Sequence, residues 1–194
     1  MAAAGRPPRP PQGFTLLEIM IVLVMIGTLV VITRSQLDAP RYRVDAAIQM
    51  FRNALTQAQR TALLNQYDVI VVIDTVNQSL EVAEDVNNND AIDAGEHTQN
   101  FPLTDHITFV VPPVGLDSTV TSAVVGSQLG SLGGLPTITF GRDGAATSDL
   151  QLYIATPATP TRTYRALELV QSTGRSDWYL YNSTANTWVI GGLR

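Results

Sequence analysis

The chain has 194 residues and is 45% hydrophobic, which is enough for one domain with a buried core. Its formal net charge is −5, so the protein as a whole does not attract nucleic acid, and binding would need a local cluster of arginines. Cysteine is absent, which excludes disulfides, iron–sulfur clusters and metal sites built on thiolates.

The N-terminus combines a basic, proline-rich segment over residues 1–12 with an apolar run from Phe14 to Thr33, in which Glu18 is the only charge. As a helix, this run of 20 residues would be about 30 Å long, which matches a bilayer core. A secretory signal would have a shorter apolar region, followed by a small-residue cleavage site. The sequence therefore predicts a transmembrane helix over residues 14–33. Inside hydrocarbon, however, Glu18 costs roughly 2.5–3.5 kcal/mol unless it has a partner.

The hexapeptide around Glu18 offers an explanation for this charge. From Gly13 to Glu18 the sequence is GFTLLE, which closely resembles the processing motif of type IV prepilins and type II secretion pseudopilins. The resemblance implies that a prepilin peptidase removes residues 1–13 as a leader and methylates the new amine of Phe14. It also implies that Glu18 pairs with the cationic amine of a neighbouring subunit, so that two costly buried charges offset each other on assembly. The alternative is an ordinary membrane anchor with Glu18 near its polar end.

An amphipathic helix is predicted over residues 34–66, as a continuation of the apolar helix. Pro40 lies at the join and should kink or break the helix there. Charged and polar residues occupy the other faces of the predicted helix. The apolar positions recur at intervals of four and three, as they do on one face of a helix: Val44, Ile48, Phe51, Leu55, Ala58 and Ala62.

Residues 67–194 contain strand-like patterns separated by turn residues and are predicted to form a β-rich globular domain. The predicted fold class is α+β and pilin-like. A long N-terminal helix, transmembrane in its first half and amphipathic in its second, packs on an antiparallel β-sheet domain. Residues 112–136 are expected to form a long surface loop or to include one poor strand at 120–125. The strand candidates are Val69–Ile73, Ser79–Ala83, Ile107–Val111, Thr137–Phe140, Leu150–Ile154, Tyr164–Val170, Trp178–Tyr181 and Trp188–Ile190.

The C-terminal half resembles the GspH/FimT family, the H-type pseudopilins and related minor pilins. The resemblance rests on the acidic segment 85–96, on Ile138–Phe140 followed by Gly141 and Gly144, and on Gly174–Arg175. It implies a minor pseudopilin, a structural subunit of the type II secretion pseudopilus that acts in protein export across the outer membrane. Its partners would be other pseudopilins or pilins in a filament, the prepilin peptidase and the inner membrane. The chain would cross that membrane once, with its globular domain in the periplasm.

Two alternatives stay open for the function. The first is a minor pilin of a type IV pilus, with a role in DNA uptake. The second, more distant, is a membrane-anchored periplasmic calcium-binding module. Genes for a secretin and further pseudopilins beside this one would favour the pseudopilin, whereas a gene for a retraction ATPase would favour the pilus.

The acidic loop, residues 85–96, has the sequence DVNNNDAIDAGE and is the richest cluster of oxygen ligands in the chain. Asp90 occupies the sixth position of an EF-hand alignment, where the pattern has glycine, and an aspartate enters the left-handed region only at a cost. Two interpretations stay open: a Ca²⁺ site, or an acidic surface turn that serves the fold. The candidate Ca²⁺ ligands, at the first, third, fifth, ninth and twelfth positions, are Asp85, Asn87, Asn89, Asp93 and Glu96.

The sequence does not predict an enzyme. Its two histidines, His97 and His106, are accompanied by neither a nucleophile elbow nor a phosphate-binding glycine loop.

DNA binding is weighed separately, because some minor pilins of this family help DNA uptake through basic residues near the C-terminus. Arg165 and Arg175 are the candidates here, and aromatic residues lie close by in the sequence. Asp177 follows Arg175 closely and the domain is acidic, which disfavours nucleic acid as a partner. The aromatic residues are expected to fill a sheet face or a subunit contact instead.

Overall fold

The structure is a computed structural model that describes residues 14–36, 39–117 and 119–191, and the side chains of all of these except 29–36 and Ala39. The chain forms two compact units, residues 1–38 and residues 39–194. The predicted leader, including Gly13, lies outside the described residues.

The first unit contains helix α1, Leu16–Gln36. Thr15 precedes this helix, and its Oγ1 accepts a hydrogen bond from the backbone N–H of Glu18 at 3.2 Å, as an N-cap does. The large apolar side chains from Phe14 to Ile26 are all exposed, and they occupy every face of the helix. Within the part of the chain that the structure describes, no helix is both long and apolar enough to cross a bilayer.

The second unit is built around helix α2, Ala39–Asn65. The predicted apolar face is confirmed, because each of its six residues is at most 1% exposed. Pro40 lies in the first turn of α2, where its missing N–H and fixed φ are tolerated. Residues 37 and 38, at the predicted join of the two helices, lie outside the described residues.

The strands of the described residues form two antiparallel sheets. They are β1 Asp68–Asp74, β2 Ser79–Asp85, β3 Thr98–Pro102, β4 Thr108–Phe109, β5 Val124–Gly126, β6 Gly130–Leu132, β7 Leu135–Phe140, β8 Leu150–Ala155, β9 Arg165–Val170, β10 Arg175–Asn182 and β11 Thr187–Ile190. The first sheet has the order β3-β2-β1-β7-β6 and the second β11-β10-β9-β8-β4, with β5 also paired to β8. A short helix, α3 Pro160–Thr163, connects β8 to β9.

The core lies between α2 and the two sheets, because α2 packs on β1 of the first sheet and on β9 and β10 of the second. Alternate residues of the central strands point into this core. Val69, Val71 and Ile73 of β1 belong to it, as do Leu167 and Leu169 of β9. The predicted packing of an amphipathic helix on antiparallel strands is therefore confirmed.

Every predicted strand is present, although some bounds differ. The candidate at 107–111 is reduced to the two residues of β4, and the poor strand expected within 120–125 is found as β5. Two short strands, β3 and β6, were not predicted. Both lie at an edge of the first sheet, and β3 is exposed at every residue except Phe101. An exposed edge strand has no apolar alternation, which is the signal that sequence analysis uses.

Two turns with glycine are tied to α2 by Gln59. Its Nε2 donates to the carbonyl oxygen of Gly144 at 2.8 Å and to that of Thr173 at 2.7 Å. Gly144 and Gly174 have φ angles of 79° and 61°, which glycine adopts without strain. A Cβ at Gly174 would also collide with the Gln59 side chain and the backbone of Gly144. Glycine at these turns therefore lets them approach the helix closely.

Candidate functional site

Phe14 and Glu18, the predicted processing and assembly residues, lie at the start of α1. Phe14 is 79% exposed, and Glu18 is exposed in the first turn, where a helix dipole favours negative charge. With Thr15 as N-cap, Glu18 also has the spacing of a capping box. Glu18 therefore has a local role in starting the helix, in addition to the assembly role that the sequence predicts.

The acidic loop is closed by its own hydrogen bonds. The two carboxylate oxygens of buried Asp85 accept backbone N–H groups, from Asn89 at 3.1 Å and from Asp90 at 2.8 Å. Oδ2 of Asp93 accepts the side-chain amides of Asn87 at 2.8 Å and of Asn89 at 2.7 Å. These two bonds, the one from Asn87 above all, lower the pKa of Asp93.

Glu96 completes the loop, because its Oε1 accepts the N–H of Val86 at 3.1 Å and its Oε2 that of Asp93 at 2.8 Å. Asp90 has a φ of 60°, so it adopts the left-handed conformation that the EF-hand alignment requires at its sixth position. Among the described residues, no three His, Asp or Glu side chains are placed to hold one metal ion together. A cation would have to compete with the loop's own amides, and the Ca²⁺ site stays a prediction.

If the acidic loop binds Ca²⁺, the melting temperature of the protein should be higher in excess Ca²⁺ than in EDTA. A ligand of the folded state at a hundredfold excess over Kd adds about 2.7 kcal/mol, or roughly 5–11 °C for a domain of this size. Glu96→Gln is the matched variant, since it removes one charge and keeps one oxygen, which can still accept the N–H of Val86 or that of Asp93. Equal melting temperatures in Ca²⁺ and EDTA would show that the acidic loop is a surface turn that serves the fold. A shift in melting temperature that persists in Glu96→Gln would show that the ion binds elsewhere in the protein.

Arg165, one of the two candidate DNA contacts, is buried, and the prediction of its role was wrong. Its side chain is 1% exposed and its Nε donates to Oδ1 of Asp45 on α2. Its Nη1 donates to the carbonyl oxygen of Tyr164 at 2.9 Å, whereas Nη2 is buried without a hydrogen-bond partner among the described residues. Arg165 therefore joins the second sheet to α2 and is closed off from a nucleic acid.

Arg175, the other candidate, has a side chain that is 69% exposed and pairs with Asp177 at 2.9 Å. Its DNA contact stays a prediction.

The aromatic residues after Arg175 divide between the two faces of the second sheet. Trp178 joins the core, while Tyr181 and Trp188 pack on each other at 5.2 Å between ring centroids. These residues therefore pack on the faces of the second sheet, and the alternative of a subunit contact stays a prediction.

Sequence analysis missed Asp45, which is one of several charged residues on the polar side of α2. It also missed a polar recess on the second sheet that includes Asp117, Glu168 and Trp188. The sequence did indicate that Arg165 is buried. Arg165 alternates with Leu167 and Leu169 along β9, so its side chain lies on the same inward face of the strand.

The N-terminal residues also match a known family model. Residues 9–33 match the model described as the prokaryotic N-terminal methylation motif. The chain therefore contains a prokaryotic N-terminal methylation motif. The methylation motif spans the predicted junction between Gly13 and Phe14, the N-cap Thr15, and Glu18. The resemblance that the hexapeptide carries is therefore confirmed at this end of the chain.

Comparison with curated proteins finds no match. Two solved structures are similar to the chain. The minor pseudopilin EpsH from the Type 2 Secretion System of Vibrio cholerae is 13% identical, with a TM-score of 0.46, over 76% of this chain and 95% of that one. The type IV minor pilin FimU of Pseudomonas aeruginosa is 15% identical, with a TM-score of 0.48, over 74% and 92%. At such identities and TM-scores, neither likeness decides the role of this chain.

Proposed function

We propose that the chain is a minor pseudopilin, a structural subunit of a type II secretion pseudopilus that acts in protein export across the outer membrane. The observation that supports this most is the methylation motif over residues 9–33, within which α1 begins at Leu16 and exposes apolar side chains on all faces. Such a surface needs lipid or other protein chains to cover it. The subunit is held in the inner membrane by α1, cut after Gly13, and then joined to neighbours that take the place of the lipid.

The role is structural rather than catalytic. In the second unit, α2 and two antiparallel sheets form a folded body whose position in the filament is set through α1. His97 is 71% exposed and its Nδ1 lies 3.3 Å from Oε1 of Glu84, so this histidine makes a polar contact at the surface. The proposed work of this body is contact with other subunits in the periplasm.

The ion pairs of Arg165 and Arg175 favour protein export over DNA uptake. Arg165 is buried against Asp45, and Arg175 is engaged by Asp177. Arg165 is therefore closed to a nucleic-acid backbone, and the charge of Arg175 is partly offset by Asp177. The type IV pilus remains the alternative, and a secretin gene beside this one would support export whereas a retraction ATPase gene would support the pilus.

The mature protein is expected to begin at Phe14 with a methylated amine. Intact-mass analysis of the protein purified from its native membrane measures this directly, because it detects the loss of residues 1–13 and the added methyl group together. Gly13→Leu is the matched variant, since it alters only the residue before the proposed cut, and it should keep the full precursor mass. A wild-type mass that still includes residues 1–13, in cells with an active prepilin peptidase, would contradict the proposal.

A further inference from the structure

A recess of about 350 Å³ opens on the face of the second sheet that is turned away from α2. Leu167 of β9 and Trp178 of β10 point into the core, so their neighbours Glu168 and Tyr179 lie on this opposite face. The loop at 114–117 and the edge strand β11 form the other sides. The lining residues used below are Val114, Leu116, Asp117, Glu168, Tyr179 and Trp188.

The recess holds the carboxylates of Asp117 and Glu168. Asp117 accepts a hydrogen bond from the side-chain amide of Gln151, and Glu168 accepts one from the hydroxyl of Tyr179 at 2.7 Å. No ion pair among the described residues includes either carboxylate. Glu168 also lies directly opposite Asp177 on the neighbouring strand, and like charges in that position repel each other.

Burial is the main cause of a raised pKa at two nearby tyrosines, and the carboxylates of the recess add to it. Burial, followed by the hydrogen bond to Glu168, raises the pKa of Tyr179 to about 12. Burial also raises the pKa of Tyr153, and the charges of Asp117 and Glu168 add to that effect, so both carboxylates act on the same hydroxyl. The recess is therefore a place where a positive charge would be stabilised.

Trp188 gives the recess a rigid aromatic wall. Its Nε1 donates to the carbonyl oxygen of Val114 at 3.0 Å. Its ring packs on Tyr153 at 5.6 Å and on Tyr181 at 5.2 Å between centroids. These contacts hold the indole in place. A ligand that stacks on it therefore causes little further loss of side-chain entropy in the protein.

We propose that this recess binds an arginine side chain of a partner protein. A guanidinium group is planar, stacks on aromatic rings and donates to two carboxylates at once, which fits Trp188, Asp117 and Glu168 together. The volume also exceeds that of a bare ion, since a water molecule occupies about 30 Å³ and the recess holds about 350 Å³. This inference does not depend on the role in export, because it rests on the recess alone.

The test titrates the detergent-solubilised full chain with the peptide acetyl-Gly-Arg-Gly-amide. The control peptide has citrulline, a neutral isostere, in place of arginine. The indole N–H resonance of Trp188, labelled with nitrogen-15, reports binding, and that of Trp178 in the core reports an intact fold. We expect a saturable shift of the Trp188 resonance that weakens with salt, and an affinity at least about tenfold lower for the citrulline peptide.

Glu168→Gln and Asp117→Asn should each weaken binding of the arginine peptide by about tenfold, while the Trp178 resonance stays in place. Glu81→Gln, which removes a carboxylate from β2 of the first sheet, is the matched control and should bind as the wild type does. An equal response to the citrulline peptide, or unchanged affinity in both recess variants, would overturn the proposal. So would the lack of any Trp188 shift at millimolar peptide.

Discussion

Replacement of Glu18 by alanine is expected to leave the precursor cleaved and its second unit folded, but to exclude the protein from filaments. In the proposed filament the methylated amine of one subunit would lie in an apolar layer, with Glu18 of its neighbour as its partner. Removal of one member of a buried charge pair typically costs about 3–5 kcal/mol. The fraction of subunits that crosslink into filaments should then fall by on the order of a hundredfold or more.

The capping contact at the start of α1 requires a control for this experiment. Thr15→Val removes the Oγ1 that accepts the N–H of Glu18 but keeps the carboxylate. Loss of an N-cap costs about 0.5–2 kcal/mol, so Thr15→Val should enter filaments far better than Glu18→Ala does. If both variants assemble equally poorly, Glu18 acts through the helix start. Wild-type crosslinking in Glu18→Ala would remove the assembly role altogether.

Helix α2 and strand β1 could be predicted because burial imposes an apolar pattern on the sequence. The apolar residues of α2 recur every three or four positions. Residues Val69–Ile73 form a continuous apolar run, and all five are buried in β1. Strand β3 has the sequence TQNFP and pairs only with β2, so its residues are selected for an exposed edge and not for a core. Its position becomes visible only once β2 is in place.

The contacts that define the sites are long-range, which explains why the sequence did not reveal them. Asp45 and Arg165 are 120 residues apart, and the recess combines the loop at 114–117 with Glu168 and Trp188. No local spacing joins such residues. In the acidic loop the spacing was local and the left-handed turn at Asp90 followed from it, but the amides that occupy its carboxylates were not apparent from the pattern.

Asp45→Ala is expected to destabilise the second unit more than any change at an exposed charge. Arg165 is 1% exposed, so without Asp45 its guanidinium would be a buried charge with no counter-ion. We expect a loss of about 3 kcal/mol, at the lower end of the usual range because Asp45 itself is 25% exposed. For a domain of this size, that lowers the melting temperature by roughly 6–12 °C in a thermal melt.

The unequal burial of the two partners predicts unequal effects of their removal. Arg165→Met fills the same space with an apolar side chain and removes the buried Nη2 that has no partner among the described residues. Asp45 is then left unpaired, but at 25% exposure it retains contact with water. The loss should stay within about 1 kcal/mol, and addition of Arg165→Met to Asp45→Ala should restore most of the stability.

Arg43→Ala is the matched control for the Asp45 and Arg165 series. It breaks an ion pair of the same α2 helix, with Asp105 at 3.4 Å, in which the side chains are 56% and 48% exposed. Exposed pairs of this kind contribute about 0–1 kcal/mol, so its melting temperature should change by less than roughly 4 °C. One result that would contradict this is an Asp45→Ala variant that melts no lower than Arg43→Ala. Another is a larger loss of stability in Arg165→Met than in Asp45→Ala. Either would show that an unpaired Arg165 guanidinium is not what destabilises the protein. In that case the packing of its aliphatic stem, rather than its charge, joins the second sheet to α2.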